Sequence, residues 1–271
     1  MPPSTSRQIT LALPAFTGLV KRLVLANVIV YFGMLVLGLV SPHLVAEFYG
    51  LFALSPHLVV HNFAVWQLIS YGFIHGGLLL ILFNMLMLWF IGAQLESDFG
   101  PRWLGEVYFF SLVGAGLCTV ALVYFPLLHL DPQGLVSGSS GALFGLLVAY
   151  AVFYADQEMY LFFVLRMKVK YLVALFLLLS VAGLISSSNN AAYAAQLGGA
   201  LFGYMYAKFA PRRGFGFGLG ESYYGLRNAW YRRKRRKAAK KFEVYMGKHD
   251  HPSRVPDPDT KRDPNDRRWM N

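Results

Sequence analysis

The chain alternates long apolar runs with short polar breaks. Leu23 to Val40 is apolar except for Asn27 and glycines, follows Lys21-Arg22 and stops at Ser41-Pro42. Further apolar runs cover Leu78 to Ala93, Trp103 to Phe125, Ser140 to Tyr154, Tyr171 to Ile185 and Ala191 to Phe209. Several approach the roughly 20 residues needed to cross a bilayer. The pattern predicts an all-α, polytopic membrane protein whose residues 18–210 form one domain of six transmembrane helices. The fourth run is shorter than a full crossing, so its first turn is expected below the membrane surface. Residues 1–17 are polar and proline-containing and are read as a flexible N-terminus.

The connections sharpen this picture. Residues 41–77 hold Glu47 and four histidines (His43, His57, His61, His75) but no Lys or Arg, and their aromatic content suits a segment resting at the membrane interface. Residues 126–139 and 186–190 also lack Lys and Arg, whereas Arg7, Lys21, Arg22, Arg102, Arg166, Lys168, Lys170 and Lys208 fall on the alternate connections. By the positive-inside rule both termini are then cytoplasmic.

Composition agrees with a membrane class and redirects the charge. Of the 271 residues 56% are hydrophobic and 14% charged, against about 25% charged in an ordinary soluble domain. The net charge of +11 would suggest nucleic acid, but seventeen of the 25 Lys and Arg residues lie after Pro211. Residues 211–271 therefore read as a basic cytoplasmic tail. Its cluster Arg232 to Lys241 favours anionic lipid headgroups beside the last helix, no nucleic acid is expected as a partner, and the proline-rich end is too polar to fold alone. Cys118 stands alone, so neither a disulfide within the chain nor a cysteine metal site is expected; no metal or other cofactor is implied. No cleavable signal peptide is evident. A bacterial inner membrane is the expected location.

Candidate chemistry sits at the mouth of the fourth run, in Gly138-Ser139-Ser140-Gly141-Ala142-Leu143-Phe144-Gly145. Glycines leave the Ser140 backbone uncovered, as suits a nucleophile approached by a carbonyl. Gly141 and Gly145 share one helix face and allow close packing. Alone, the stretch is equally compatible with a packing role. It is joined by Phe73-Ile74-His75-Gly76-Gly77 leading to Asn84, by Trp66-Gln67, and by Ala195-Gln196-Leu197-Gly198-Gly199-Ala200-Leu201-Phe202-Gly203 in the sixth run.

With these motifs in this order, residues 18–210 resemble the rhomboid family of intramembrane serine proteases. The resemblance implies a Ser-His dyad within the bilayer, with Ser140 in the nucleophile position and Phe144 matching the aromatic that packs against the base. It places the base at Gln196 and a histidine oxyanion donor at Leu80, while Asn84 retains its oxyanion position. Serine needs a neighbour to take its proton as it attacks. An amide cannot hold that proton, and Leu80 has no donor to offer. His75 matches a structural position of the family, and His43, His57, His61, His129, His249 and His251 offer no replacement. Ser140 is expected within hydrogen-bond range of Gln196, in a polar cavity covered by the fifth helix. Gly141 and Gly199 are expected to bring the fourth and sixth helices together.

The resulting expectation is a rhomboid-fold protein that is catalytically silent or impaired and holds client transmembrane helices between its second and fifth spans. A working serine endopeptidase is the alternative, and position 196 discriminates between them. A solute transporter fits less well, because no charged residue lies mid-span.

Overall fold

A computed structural model describes residue 14 and residues 16–125, 131–161, 165–186 and 190–210. The tail, His129 and most of the 186–190 turn lie outside the described residues. The protein is mostly helical. Its order is α1 (Gly18–Val40), α2 (Pro42–Phe52), α3 (Pro56–His61), α4 (Gln67–Ser70), a 3-10 turn (Tyr71–Phe73), α5 (Leu78–Val123), α6 (Ser140–Tyr154), β1 (Glu158–Leu161), β2 (Leu165–Lys168), α7 (Val169–Ser186) and α8 (Asn190–Phe209). Among the described residues, α1, α5 and α7 are long and apolar enough to cross a membrane, and α6 is a shorter apolar helix.

The 46 residues of α5 contain a sharp kink. Gly100 takes φ 87°, ψ 163°, a left-handed φ that glycine tolerates, and Pro101 follows without an N–H to give back to the preceding turn. The two apolar runs read from the sequence at 78–93 and 103–125 are the arms on either side.

The helix α6 lies at the centre. Every residue from Gly141 to Tyr150 is buried, so α6 needs no polar face, and small residues bring its neighbours onto it. A side chain at Gly145 would collide with Ser111 of α5, and one at Gly199 or Gly203 of α8 would collide with the carbonyls of Gly141 and Gly145. Helix α1 packs on α5 through the stripe Val20, Leu23, Asn27 and Tyr31, spaced three or four residues apart. Its first turn is tied down by Glu96, whose carboxylate accepts from the amides of Leu19 (2.6 Å) and Val20 (2.9 Å). These N–H groups have no partner inside their own helix. Glu96→Ala should therefore cost about 1–3 kcal/mol, read by denaturant unfolding of the full chain in detergent. A change below about 0.5 kcal/mol, typical of an ordinary surface substitution, would show that the carboxylate is dispensable.

Two segments differ from the sequence-based expectation. The 41–77 connection is built from short helices clamped by Gln67. That side chain donates to the carbonyls of Gly50 (3.1 Å) and Leu51 (3.2 Å) and accepts from the Ser55 amide (3.0 Å). Trp66 donates to the Leu51 carbonyl and Ser70 to that of Phe52. The clamp satisfies backbone groups that a buried loop would otherwise leave unpaired. The 155–170 turn carries an antiparallel hairpin pairing Glu158 with Lys168 and Tyr160 with Arg166. Its opposed charges, Arg166 with Glu158 and Lys168 and Lys170 with Asp156, support that register.

Candidate functional site

The approach to α6 is fixed by backbone pairing before any side chain is considered. Leu54 and Val136 exchange both backbone hydrogen bonds at 2.9 Å, and the His57 amide donates to the Pro132 carbonyl at 3.0 Å. The Gly138 amide then donates to the Tyr71 carbonyl at 2.9 Å, while the Tyr71 hydroxyl donates to the Leu112 carbonyl at 2.8 Å. Gly138 has φ +104°, and the space a side chain would fill is bounded by Asn84, Leu80 and His75 at 3.6–3.8 Å. The chain thus turns tightly over the start of α5 and delivers Ser139 as N-cap and Ser140 as the first residue of α6.

Around this turn the structure gathers several of the residues named above. Asn84 is buried and its amide nitrogen donates to His75 Nε2 at 3.2 Å. The Ser139 hydroxyl, fully buried, lies 3.4 Å from the same nitrogen. With Nε2 accepting, the ring proton belongs on Nδ1. Burial lowers the His75 imidazole to about 4, so it is neutral in this connection ahead of α5. Leu80 is 40% exposed, beside Gly138. Ser140 itself is half-buried. Ser139 was missed by the sequence reading, which treated it as the neighbour of the nucleophile position; a second hydroxyl in a buried turn beside a histidine was the available signal.

Gln196 departs from expectation. On α8 and half-buried, it accepts through Oε1 from the Ser180 hydroxyl of α7 at 2.8 Å, and no hydrogen bond links it to Ser140 among the described residues. Ser180 is fully buried in the middle of an otherwise apolar run, and was also missed. The expected partner lay on α6; the observed partner lies on α7. Phe144 is buried, and its ring stands edge-on to Phe176 of α7 with centroids 6.1 Å apart. Gly141 and Gly199 do meet: a side chain at Gly199 would overlap the Gly141 carbonyl and lie 3.0 Å from its Cα. Among the described residues no group of three or more His, Cys, Asp or Glu side chains could hold a metal.

A family model described as the Rhomboid domain matches residues 62–213, more than half of the chain and the whole stretch from the Gln67 clamp to the end of α8. The chain belongs to the rhomboid family. It is an integral membrane protein in contact with the lipid bilayer. Rhomboid-like protein 19 of Arabidopsis thaliana is 31% identical over 153 residues, covering 55% of this chain and 49% of that protein. RHOMBOID-like protein 1 of the same plant is 37% identical over 97 residues, covering 36% of this chain and 23% of that protein. A protein named Inactive RHOMBOID-like protein 8, also from Arabidopsis thaliana, is 30% identical over 91 residues, covering 34% of this chain and 23% of its own length. This rhomboid spans between about a quarter and a half of the length of these curated relatives.

Proposed function

We propose that this rhomboid is catalytically silent and binds client transmembrane helices, with Ser140 kept in the nucleophile position and Gln196 standing where the family resemblance places a histidine. The observation that carries the reading is the carboxamide at position 196, whose oxygen is taken by Ser180. A positioned general base contributes about two to four orders of magnitude, and the members of such a unit fail together. Leu80 adds the loss of an oxyanion donor, about 2.7–4 kcal/mol where one has been removed elsewhere. Asn84, committed to His75, and the first amides of α6 remain as hydrogen-bond donors toward negative charge. The expected outcome is no labelling of Ser140 by a membrane-permeant fluorophosphonate and no cleavage of transmembrane substrates in proteoliposomes. Cleavage that disappears on Ser140→Ala would establish the rival reading, an active serine endopeptidase.

The proposed membrane domain covers residues 18–210 in six spans, counting α1, the two arms of α5, α6, α7 and α8, between the N-terminal residues 1–17 and the cytoplasmic tail at 211–271. Both termini are cytoplasmic, and the tail meets anionic headgroups rather than nucleic acid. The relatives named above are plant proteins, so they lend no support to a bacterial inner membrane. Orientation is testable with Cys118 replaced by alanine. A cysteine at the exposed position Gln133 should react with an impermeant maleimide in intact cells, and one at the exposed Lys168 should react only after permeabilisation. Reaction at Lys168 in intact cells would invert the topology. Ser55, in the same connection as His43, is unsuitable as a reporter because it is buried.

A further inference from the structure

Helix α7 is held by little. Its buried residues are Val169, Leu172 and Val173 near one end and, in the remaining length, Ser180. Leu178, Leu179, Val181 and Ile185 are exposed to the surroundings of the bundle. The Ser180–Gln196 hydrogen bond crosses from this lightly held stretch to α8. The two partners are unequally committed. The Ser180 hydroxyl has a single proton and stands 2.9 Å from the Phe176 carbonyl of its own helix as well as 2.8 Å from Gln196 Oε1. If it leaves Gln196 it keeps an acceptor. Gln196 has no such reserve: its amide nitrogen has no partner among the described residues, and releasing Ser180 would strand the oxygen too. In an apolar medium an unpaired amide is costly.

We infer that the Gln196 carboxamide is a docking point for a hydroxyl or carboxamide side chain on a client transmembrane helix, and that the Ser180 bond is the latch which that side chain displaces. This rests on the client-binding reading above and gives it a substrate class. A carboxamide suits the task because it offers two donors and an acceptor in one plane, so one client amide pairs with it twice. Depth is set by the helix: Gln196 lies six residues after Asn190, about 9 Å along the axis at 1.5 Å per residue. The recognised client carries its polar residue about two turns in from the corresponding membrane boundary, inside hydrocarbon where interhelical polar contacts hold helices together.

The test uses full-length protein in proteoliposomes and leucine-rich transmembrane peptides, diluted until monomeric, that carry either Asn or Leu two turns from one end. Binding is read by energy transfer from a donor on the protein to an acceptor on the peptide. The wild-type protein should bind the Asn peptide about three- to tenfold more tightly than the Leu peptide, the range expected for interhelical hydrogen bonds. Gln196→Leu should erase that preference. Ser180→Ala should keep it and strengthen Asn-peptide binding further, because the latch is gone. Equal binding of the two peptides by the wild type, or a preference that survives Gln196→Leu, overturns the docking role. An Asn-peptide affinity unmoved by Ser180→Ala overturns the latch. Failure of both peptides to bind defeats the client-binding reading as well, whereas equal binding of both leaves that reading standing and removes this inference alone.

Discussion

The double substitution Gln196→His, Leu80→His should give a protein that labels with fluorophosphonate at Ser140 and cleaves transmembrane substrates where the proposed silent parent does neither, and Ser140→Ala should abolish both. Gln196→His puts a proton acceptor on α8, worth about 10²–10⁴ in rate where a general base acts. Leu80→His returns a donor next to Gly138 and Asn84, the part of the turn that faces the start of α6. The structure adds a condition that the sequence did not carry. Position 196 is engaged with Ser180, so an imidazole placed there is divided between Ser180 and Ser140. Adding Ser180→Ala should free it, and the triple variant should label faster than the double one. Equal labelling rates would mean that Ser180 does not compete for the new base. Labelling by none of the variants would mean that the site has departed from a catalytic geometry at more than these positions.

The extents of the helices were legible because they depend on long apolar runs. The fourth run was read as Ser140 to Tyr154 and α6 has those bounds; the sixth was read from Ala191 and α8 begins at Asn190. The close approach of Gly141 and Gly199 was legible for a related reason, since small residues four apart leave one face of a helix open. Polar side chains inside the apolar frame were much less legible. Ser180 is one hydroxyl in a run of leucines, and nothing in its neighbours says that it faces Gln196 rather than lipid. Ser139 was overshadowed by Ser140, and only the turn at Gly138 aims its hydroxyl at His75. The hairpin at 158–168 was hidden because the sequence between Met159 and Leu165 is continuously apolar and shows no alternation, so the pairing of Glu158 with Lys168 emerges only from the register. Periodicity reports which face is apolar; it does not report which polar group on another helix completes a bond.

Gly199→Ala should be the most damaging small substitution in the membrane domain, lowering stability by about 1–3 kcal/mol or more. The site has no slack, because the obstacle is backbone. The added carbon would overlap the Gly141 carbonyl, and neither that carbonyl nor the Gly141 Cα can rotate aside as a long side chain would. One turn along, Gly203 meets the Gly145 carbonyl in the same way, so α8 cannot tilt to relieve one contact without tightening the other. Separation of α6 and α8 is the remaining response. It would sacrifice close backbone packing, which drives helix association where lipid tails are as apolar as leucine. The control is Gly33→Ala in α1, where an added carbon meets nothing within 4 Å and helix propensity alone predicts a gain of up to about 1 kcal/mol. Unfolding in mixed detergent should separate the two variants clearly, and matching midpoints would show that the α6–α8 contact is looser than its geometry implies. The effect should also reach the site, because Gly141 adjoins Ser140. In the Gln196→His, Leu80→His background, Gly199→Ala should remove labelling at Ser140 even in the fraction that remains folded, since displacing the first turn of α6 from α8 carries Ser140 away from position 196.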